Sequence, residues 1–261
     1  MPELPEVERA RALIERRALG RRIAWVDDSD AYVCRPHPRG EIAGALTGAR
    51  LTEAHRRGKT MWVATDTGPV LGLHLGMAGR ILVDGAAEGD RMVNASTFDE
   101  NLIWRRFTLG FEDAGHLVLH DKRRLGRAVL NPHLDRLGPD AAEVDRQPFR
   151  DRVGRGGAPL KARIMDQSVI AGVGNLLADE TLWRARLDPR RPAGGLDEEE
   201  LDRLRRELRA ATRSAIRRGG VHTGELMPER HRGGCCPRCG EALERTRIGG
   251  RTTWLCPGEQ R

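Results

Sequence analysis

The chain has 261 residues, a formal net charge of +7, 32% charged residues and 39% hydrophobic ones. That length allows two domains of ordinary size with real cores, and the basic balance suggests a polyanionic partner, most simply nucleic acid. No apolar run is long enough to span a bilayer and no signal-peptide core is present. The five cysteines, four of them at 235, 236, 239 and 256, read as a metal site in a reducing compartment and not as a disulfide framework.

The chain starts Met1-Pro2-Glu3-Leu4-Pro5-Glu6-Val7-Glu8. Removing Met1 would leave Pro2 as the N-terminus. Its secondary amine could attack an electrophilic carbon and give an iminium, which is covalent catalysis of the Schiff-base type. Glu3 beside it can shuttle protons. Pro5 suits the first turn of a helix, and Leu4, Val7, Arg11, Ile14 and Ala18 follow at helical spacing with Arg11 the polar exception. An ordinary helix start with two prolines is the rival reading of these eight residues. A working N-terminal proline also argues against a cleaved leader.

Beyond the helix, residues 22–26, 60–66, 70–75, 80–83, 106–111 and 116–120 are apolar or alternating stretches divided by Gly, Asp and Pro. They predict an antiparallel sandwich over 1–133, with 86–100 a polar loop. Residues 134–159 read as a linker whose Gly/Arg-rich end, 150–159, is flexible. From 160 the character turns helical. The pattern predicts helices over 161–170, 175–185 and 197–218. In the last of these, Leu201, Leu204, Leu208, Ala211 and Ala215 make a buried stripe.

Four stretches carry candidate chemistry besides the N-terminus. Lys59 stands at a strand start, one of only three lysines with Lys122 and Lys161. His74-Leu75-Gly76-Met77-Ala78-Gly79 lies between two strands. Gly172-Val173-Gly174-Asn175 precedes a helix, where free N–H groups bind phosphate and glycines permit close approach. Cys236-x2-Cys239-x16-Cys256 offers three thiolate ligands for a metal.

PELPEVE, DQSVIAGVGNLLADE and the C-terminal cysteine hairpin, in that order over essentially the whole chain, resemble the formamidopyrimidine-DNA glycosylase / endonuclease VIII family. The resemblance implies an α+β protein. An N-terminal helix and antiparallel β-sandwich (1–133) and a linker (134–159) would precede a helix-two-turn-helix domain (160–220) and a zinc-finger hairpin (221–261), with a DNA cleft between the halves. It implies a bifunctional base-excision enzyme, a DNA glycosylase with AP-lyase activity on double-stranded DNA. Pro2 would attack C1′ of the damaged nucleotide, Glu3 would assist ring opening, and Glu6 would orient the network, with a helix-capping carboxylate the equal alternative for Glu6.

On the same resemblance Lys59 reaches a phosphate and donates a proton, and His74 contacts DNA. Met77 fills the hole left by the extruded base, recovering part of the lost stacking. Arg123 contacts the orphaned base or its backbone, and Leu125 stands where formamidopyrimidine glycosylases have Phe. Asn175 and Arg251 hold phosphates flanking the lesion, and Arg251 serves the second elimination as acid. One structural Zn²⁺ is implied on Cys236, Cys239 and Cys256. Where the family has a fourth cysteine this chain has Glu259, so Glu259, Cys235 or His231 is the candidate fourth ligand, and a metal-free hairpin is the rival. The segment 221–234 is shorter than the loop that covers 8-oxoguanine in formamidopyrimidine glycosylases. A monomer, cytoplasmic and nucleoid-associated, is expected. Two other readings compete: a non-catalytic damaged-DNA binder on the same scaffold, and an RNA-binding zinc-ribbon module. The presence of Pro2, Glu3 and Lys59 favours the enzyme.

Overall fold

A computed structural model describes residues 1–89 and 102–261, so most of the predicted 86–100 loop lies outside the described residues. The chain forms two compact units. One holds Met1–Pro2 and Glu6–Leu134; the other holds Glu3–Pro5 and Asp135–Arg261. No helix among the described residues is long and apolar enough to cross a membrane.

The first unit begins with helix α1 (Leu4–Arg17), acidic in its first turn at Glu6 and basic in its last at Arg16 and Arg17, which suits the helix dipole. The 3.6-residue period places Val7, Ala10, Leu13 and Ile14 in the core. Arg11, the polar member of that stripe, donates to the Ala54 carbonyl and pairs with Glu8 and Glu15. Two antiparallel sheets follow. In the first, β1 (Ile23–Asp27), β5 (Arg80–Val83), β6 (Ala86–Gly89), β7 (Arg105–Phe111) and β8 (His116–His120) take the order β1-β7-β8-β5-β6. In the second, β2 (Leu51–Arg57), β3 (Thr60–Thr65), β4 (Leu71–His74) and β9 (Arg127–Leu130) lie in chain order. Their inner faces and the short α2 (Glu41–Leu46) share one apolar core that includes Ile23, Leu46, Met61, Leu73, Phe107 and Leu119. The expected antiparallel sandwich is therefore present, with more strands than the sequence pattern picked out.

The second unit contains α3 (Arg146–Val153), α4 (Leu160–Met165), α5 (Asn175–Ala185), α6 (Glu198–Arg218) and the hairpin β10 (Glu244–Ile248)–β11 (Arg251–Leu255). Helix α3 occupies residues that read as linker; Phe149 and Val153 are fully buried, and Arg150 makes a two-pronged ion pair with Asp202 of α6 at 2.8 Å. The predicted 161–170 helix stops at Met165. Asp166 ends it, since its side chain accepts from the Ser168 N–H and hydroxyl, a local bond that competes with the helix. Helix α6 starts with a reciprocal capping box between Asp197 and Glu200.

A buried charge cluster joins these elements. The Lys161 ammonium on α4 lies 2.6 Å from the Asp179 carboxylate on α5, both side chains being wholly inaccessible. Lys161 also donates to the Thr252 carbonyl and the Thr253 hydroxyl, while Asp179 accepts from Arg230 and from the Trp254 N–H. The pair therefore fastens β11 to two helices. Burial, partly opposed by Asp179, lowers the Lys161 pKa from its ordinary value. Removing one partner should leave an uncompensated buried charge. Asp179→Ala is expected to lose about 3–5 kcal/mol of unfolding free energy in urea titrations, and adding Lys161→Met should recover part of that loss. Equal stability of Asp179→Ala and wild type would show that the pair bears no net weight.

Candidate active site and nucleic-acid interface

In the first unit the candidate residues sit on strand ends and tight loops. Lys59 follows Gly58, whose φ of 60° places glycine first in the two-residue turn between β2 and β3. Across the β3–β4 pair Thr60 faces His74. The His74 imidazole is held below its ordinary pKa by burial first and by the nearby Lys59 charge second. Its Nδ1 accepts from the Gly76 N–H at 3.0 Å, so the neutral ring carries its proton on Nε2. Met77, two residues on, is 39% exposed despite its apolar chain.

The Met77 loop and the Arg123–Leu125 loop meet backbone to backbone. A Cβ on Gly76 would lie 2.4 Å from the Leu125 carbonyl carbon, which only glycine avoids. The second loop is shaped by a residue the sequence reading passed over. Asp121 is fully buried, and its carboxylate accepts from the N–H groups of Arg123, Leu125 and Gly126 at 2.7–2.9 Å. This clamp leaves Arg123 exposed and Leu125 half-buried beside Met77's loop. Pro2 belongs to this unit and is buried, as is Glu6 at 4% exposure.

In the second unit Glu3 is 1% exposed, and its two carboxylate oxygens accept from the Leu176 and Leu177 N–H groups at 2.9 and 3.0 Å. A carboxylate thus caps the start of α5, where the helix dipole favours negative charge. Those two N–H groups are therefore taken by Glu3, which revises the reading that the free N–H groups of this turn await a phosphate. The glycines have a matching explanation. A Cβ on Gly174 would lie 2.2 Å from the Glu3 carboxyl carbon, and one on Gly172 would lie 2.5 Å from Leu4. Asn175, the first residue of α5, keeps a buried Oδ1 with no hydrogen-bond partner among the described residues. Gln167 stitches the preceding turn, donating to the Met165 and Val173 carbonyls and accepting from Gly172. Arg251 is exposed at the start of β11, after the left-handed pair Gly249-Gly250.

The Sγ atoms of Cys236, Cys239 and Cys256 lie within 4.8 Å of one another, a cluster able to bind a metal ion. Cys236 accepts from the Trp183 indole N–H at 3.3 Å. Burial opposes its ionisation, but that bond and the backbone N–H groups of Cys239 and Arg238 bring the thiol down to about 7. None of the three candidate fourth ligands joins the cluster among the described residues. The Glu259 carboxylate faces Arg186 and Arg238 at 3.2 and 3.3 Å. The Cys235 thiol faces the Gly233 carbonyl, and the His231 ring faces the Arg232 carbonyl. Gln260, also passed over, is buried and holds the Cys256 N–H and the Leu187 carbonyl.

Two family models match the chain: the formamidopyrimidine-DNA glycosylase N-terminal domain over residues 1–128 and the formamidopyrimidine-DNA glycosylase H2TH domain over 137–225. The chain belongs to the formamidopyrimidine-DNA glycosylase family. It is 34% identical to a formamidopyrimidine-DNA glycosylase from a Nocardioides species, covering 98% of this chain and 93% of that one. A Thermus thermophilus protein of the same name is 35% identical over 98% of this chain and 97% of its own. Among solved structures, the Thermus thermophilus MutM (Fpg) protein superposes with a TM-score of 0.79 at 33% identity, covering 99% of this chain and 98% of that one. The Lactococcus lactis Fpg in complex with DNA containing an abasic site gives 0.83 at 25% identity, with 99% of each chain covered.

The Asp121 clamp makes its own prediction. Asp121→Ala removes the acceptor for three backbone donors and should cost about 2–3 kcal/mol. Amide exchange at Arg123, Leu125 and Gly126 should accelerate more than elsewhere in the sheet; unchanged protection at those three amides would contradict the clamp.

Proposed function

We propose that the chain is a bifunctional DNA glycosylase and AP lyase that excises damaged bases from double-stranded DNA in base excision repair. The supporting observation is the N-terminal dipeptide. Pro2 is buried at the foot of α1, and the adjoining Glu3 is fixed by two backbone N–H groups. Once Met1 is removed, the Pro2 nitrogen adds to C1′ as the bond from C1′ to the base breaks, and the base leaves with a proton. The base takes its proton from solvent, while Glu3 accepts the proton the amine loses and passes it to O4′ as the sugar ring opens to an iminium. That cation acidifies the C2′ hydrogens, so loss of one expels the 3′ phosphate by β-elimination. Glu6 supports this network. Lys59 and Arg251 hold flanking phosphates, and Arg251 supplies the proton for the second elimination. His74, Asn175 and Arg123 bind DNA, and Met77 with Leu125 fills the space of the extruded base.

A single structural Zn²⁺ fits the cysteine cluster. Tetrahedral Zn–S bonds of about 2.3 Å set sulfur atoms about 3.8 Å apart. The Cys239 and Cys256 Sγ atoms lie 3.4 Å apart, and Trp183 gives Cys236 the second hydrogen bond that ligand thiolates use. Cys236, Cys239 and Cys256 would hold the ion, which supplies folding energy to the hairpin bearing Arg251 and takes no part in the reaction. The fourth ligand is Glu259 after release from Arg186 and Arg238, or Cys235 or His231. The segment 221–234 is held down at Glu225 and Leu226 by the Glu180 carboxylate, which supports the reading that it does not form a flap over the lesion. The enzyme acts as a monomer in the cytoplasm, at the nucleoid.

Borohydride reduction on a duplex with an abasic site tests the chemistry. Wild type should form a covalent adduct whose peptide mass maps to Pro2 with Met1 absent, and Pro2→Gly should abolish it. Intact DNA with no adduct would assign the scaffold to a non-catalytic binder. A panel of duplexes bearing 8-oxoguanine, formamidopyrimidines, oxidised pyrimidines and alkyl adducts then ranks the lesions. For the metal, Cys256→Ser should lower bound zinc from one equivalent to well below one by atomic emission and weaken DNA binding. Full zinc occupancy in that variant would exclude the three-cysteine set.

A further inference from the structure

The segment between β1 and α2 carries the chain's single tyrosine, and no motif above uses it. Tyr32 is 46% exposed. The guanidinium carbon of Arg35 lies 3.9 Å from its ring centroid, that of Arg127 5.0 Å and that of Arg124 5.8 Å. Arg35 also donates to the Tyr32 carbonyl, and Arg127 to the Gly126 carbonyl. Arg124 is held by a two-pronged pair with Asp30 at 2.7 and 3.0 Å. Asp30 in turn accepts from the Tyr32 and Val33 N–H groups and lies 3.6 Å from Arg106. The other nearby acids are committed elsewhere: Asp28 to the Gly40 and Ala43 N–H groups, Asp27 to the Ser29 N–H. Asp30 therefore balances Arg124 and leaves Arg35 and Arg127 as two cations fixed on an exposed ring.

The patch is continuous with the two loops already described. Arg124 and Arg127 flank Leu125 and Gly126, and Arg127 pairs with His74 across β4 and β9. We infer that Tyr32, Arg35 and Arg127 form a further DNA-contact site that grips backbone phosphates next to those reached from the loops, an inference that rests on the reading of those loops as facing DNA. Stacking on the ring holds a guanidinium flat and leaves its remaining N–H groups in the fork that matches phosphate oxygens. Fixing the cations before binding lowers the ordering cost of the contact. Since Arg35 already covers a ring face at 3.9 Å, the patch suits phosphate and not a stacked base.

The test is binding to a duplex carrying a tetrahydrofuran abasic analogue, followed by fluorescence anisotropy over a salt series. Each phosphate contact contributes about 0.9 to the slope of log K against log salt. The double variant Arg35→Ala, Arg127→Ala should shallow the slope by about 1.8 and weaken binding at least tenfold at moderate salt. Tyr32→Ala should show a smaller change in the same direction, and Tyr32→Phe should match wild type because the ring remains. Tyr32 and Arg35 are exposed and Arg127 is half-buried in β9, so circular dichroism melting is recorded for every variant and should stay close to wild type. A double variant with wild-type melting, slope and affinity would overturn the inference. Wild-type borohydride trapping is read separately. An adduct with no slope change rejects the patch alone; a slope change with no adduct rejects the glycosylase reading and keeps the patch.

Discussion

The second unit depends on one contact, the grip of the Glu3 carboxylate on the first N–H groups of α5. Without it, α5 would start with unsatisfied donors, because Gly174 at its N-cap offers no side chain. The contact requires glycine at 174 and 172, since any Cβ there would displace Glu3 or Leu4. The Gly-x-Gly pattern is thus a seat for the N-terminal residues. A carboxylate held this way cannot swing out of place.

Helix α5 carries that order onward along one face. Asn175, Asp179 and Trp183 recur every fourth residue and therefore align. Asn175 ends at the turn with a buried oxygen seeking a donor. Asp179 binds Lys161, Arg230 and the β11 backbone. Trp183 reaches the Cys236 sulfur, and its ring lies 3.8 Å under the Arg238 guanidinium. The hairpin bearing Arg251 is consequently registered to the helix that Glu3 caps, by side chains that are mostly fully buried.

Much of this was legible in the sequence, and the gaps have physical reasons. Helix α1 followed from its period and Pro5, the strands over 60–65, 80–83 and 116–120 from their apolar or alternating pattern, and α6 from its apolar spacing. Strands β2 and β9 escaped notice because Leu-Thr-Glu-Ala-His-Arg-Arg and Arg-Ala-Val-Leu are too polar or too short to alternate clearly; pairing with neighbours decides them. Helix α3 was hidden by its arginines, whose partners on α6 lie about fifty residues on. Of the candidate site, Pro2, Glu3, Lys59 and the three clustered cysteines were picked out by type and spacing. The supports were not: Asp121, Lys161, Asp179, Gln167 and Gln260 look like surface residues until the backbone groups they bind are known. Asp121, standing ahead of Lys-Arg-Arg-Leu-Gly, was the one with a readable signal, a short acid before a glycine-bearing turn.

These supports share a chemistry that bears on the charge of the whole molecule. Glu3, Asp28, Asp121, Asp179 and Glu180 are all at most 4% exposed; Asp179 accepts a backbone N–H from strand β11, and the other four accept backbone N–H groups from a loop or helix start. Asp179 and Glu180 also meet Lys161, Arg230 and Arg184, and the Glu3 charge acts on Lys161 as well. Acids spent inside in this way no longer screen the surface. The formal balance of 45 cations against 38 acids therefore understates how positive the exposed surface is. The basic surface and the rigidity of these loops and helix starts thus have one origin. The carboxylates that fix the loops from within are the same ones removed from the charge balance outside.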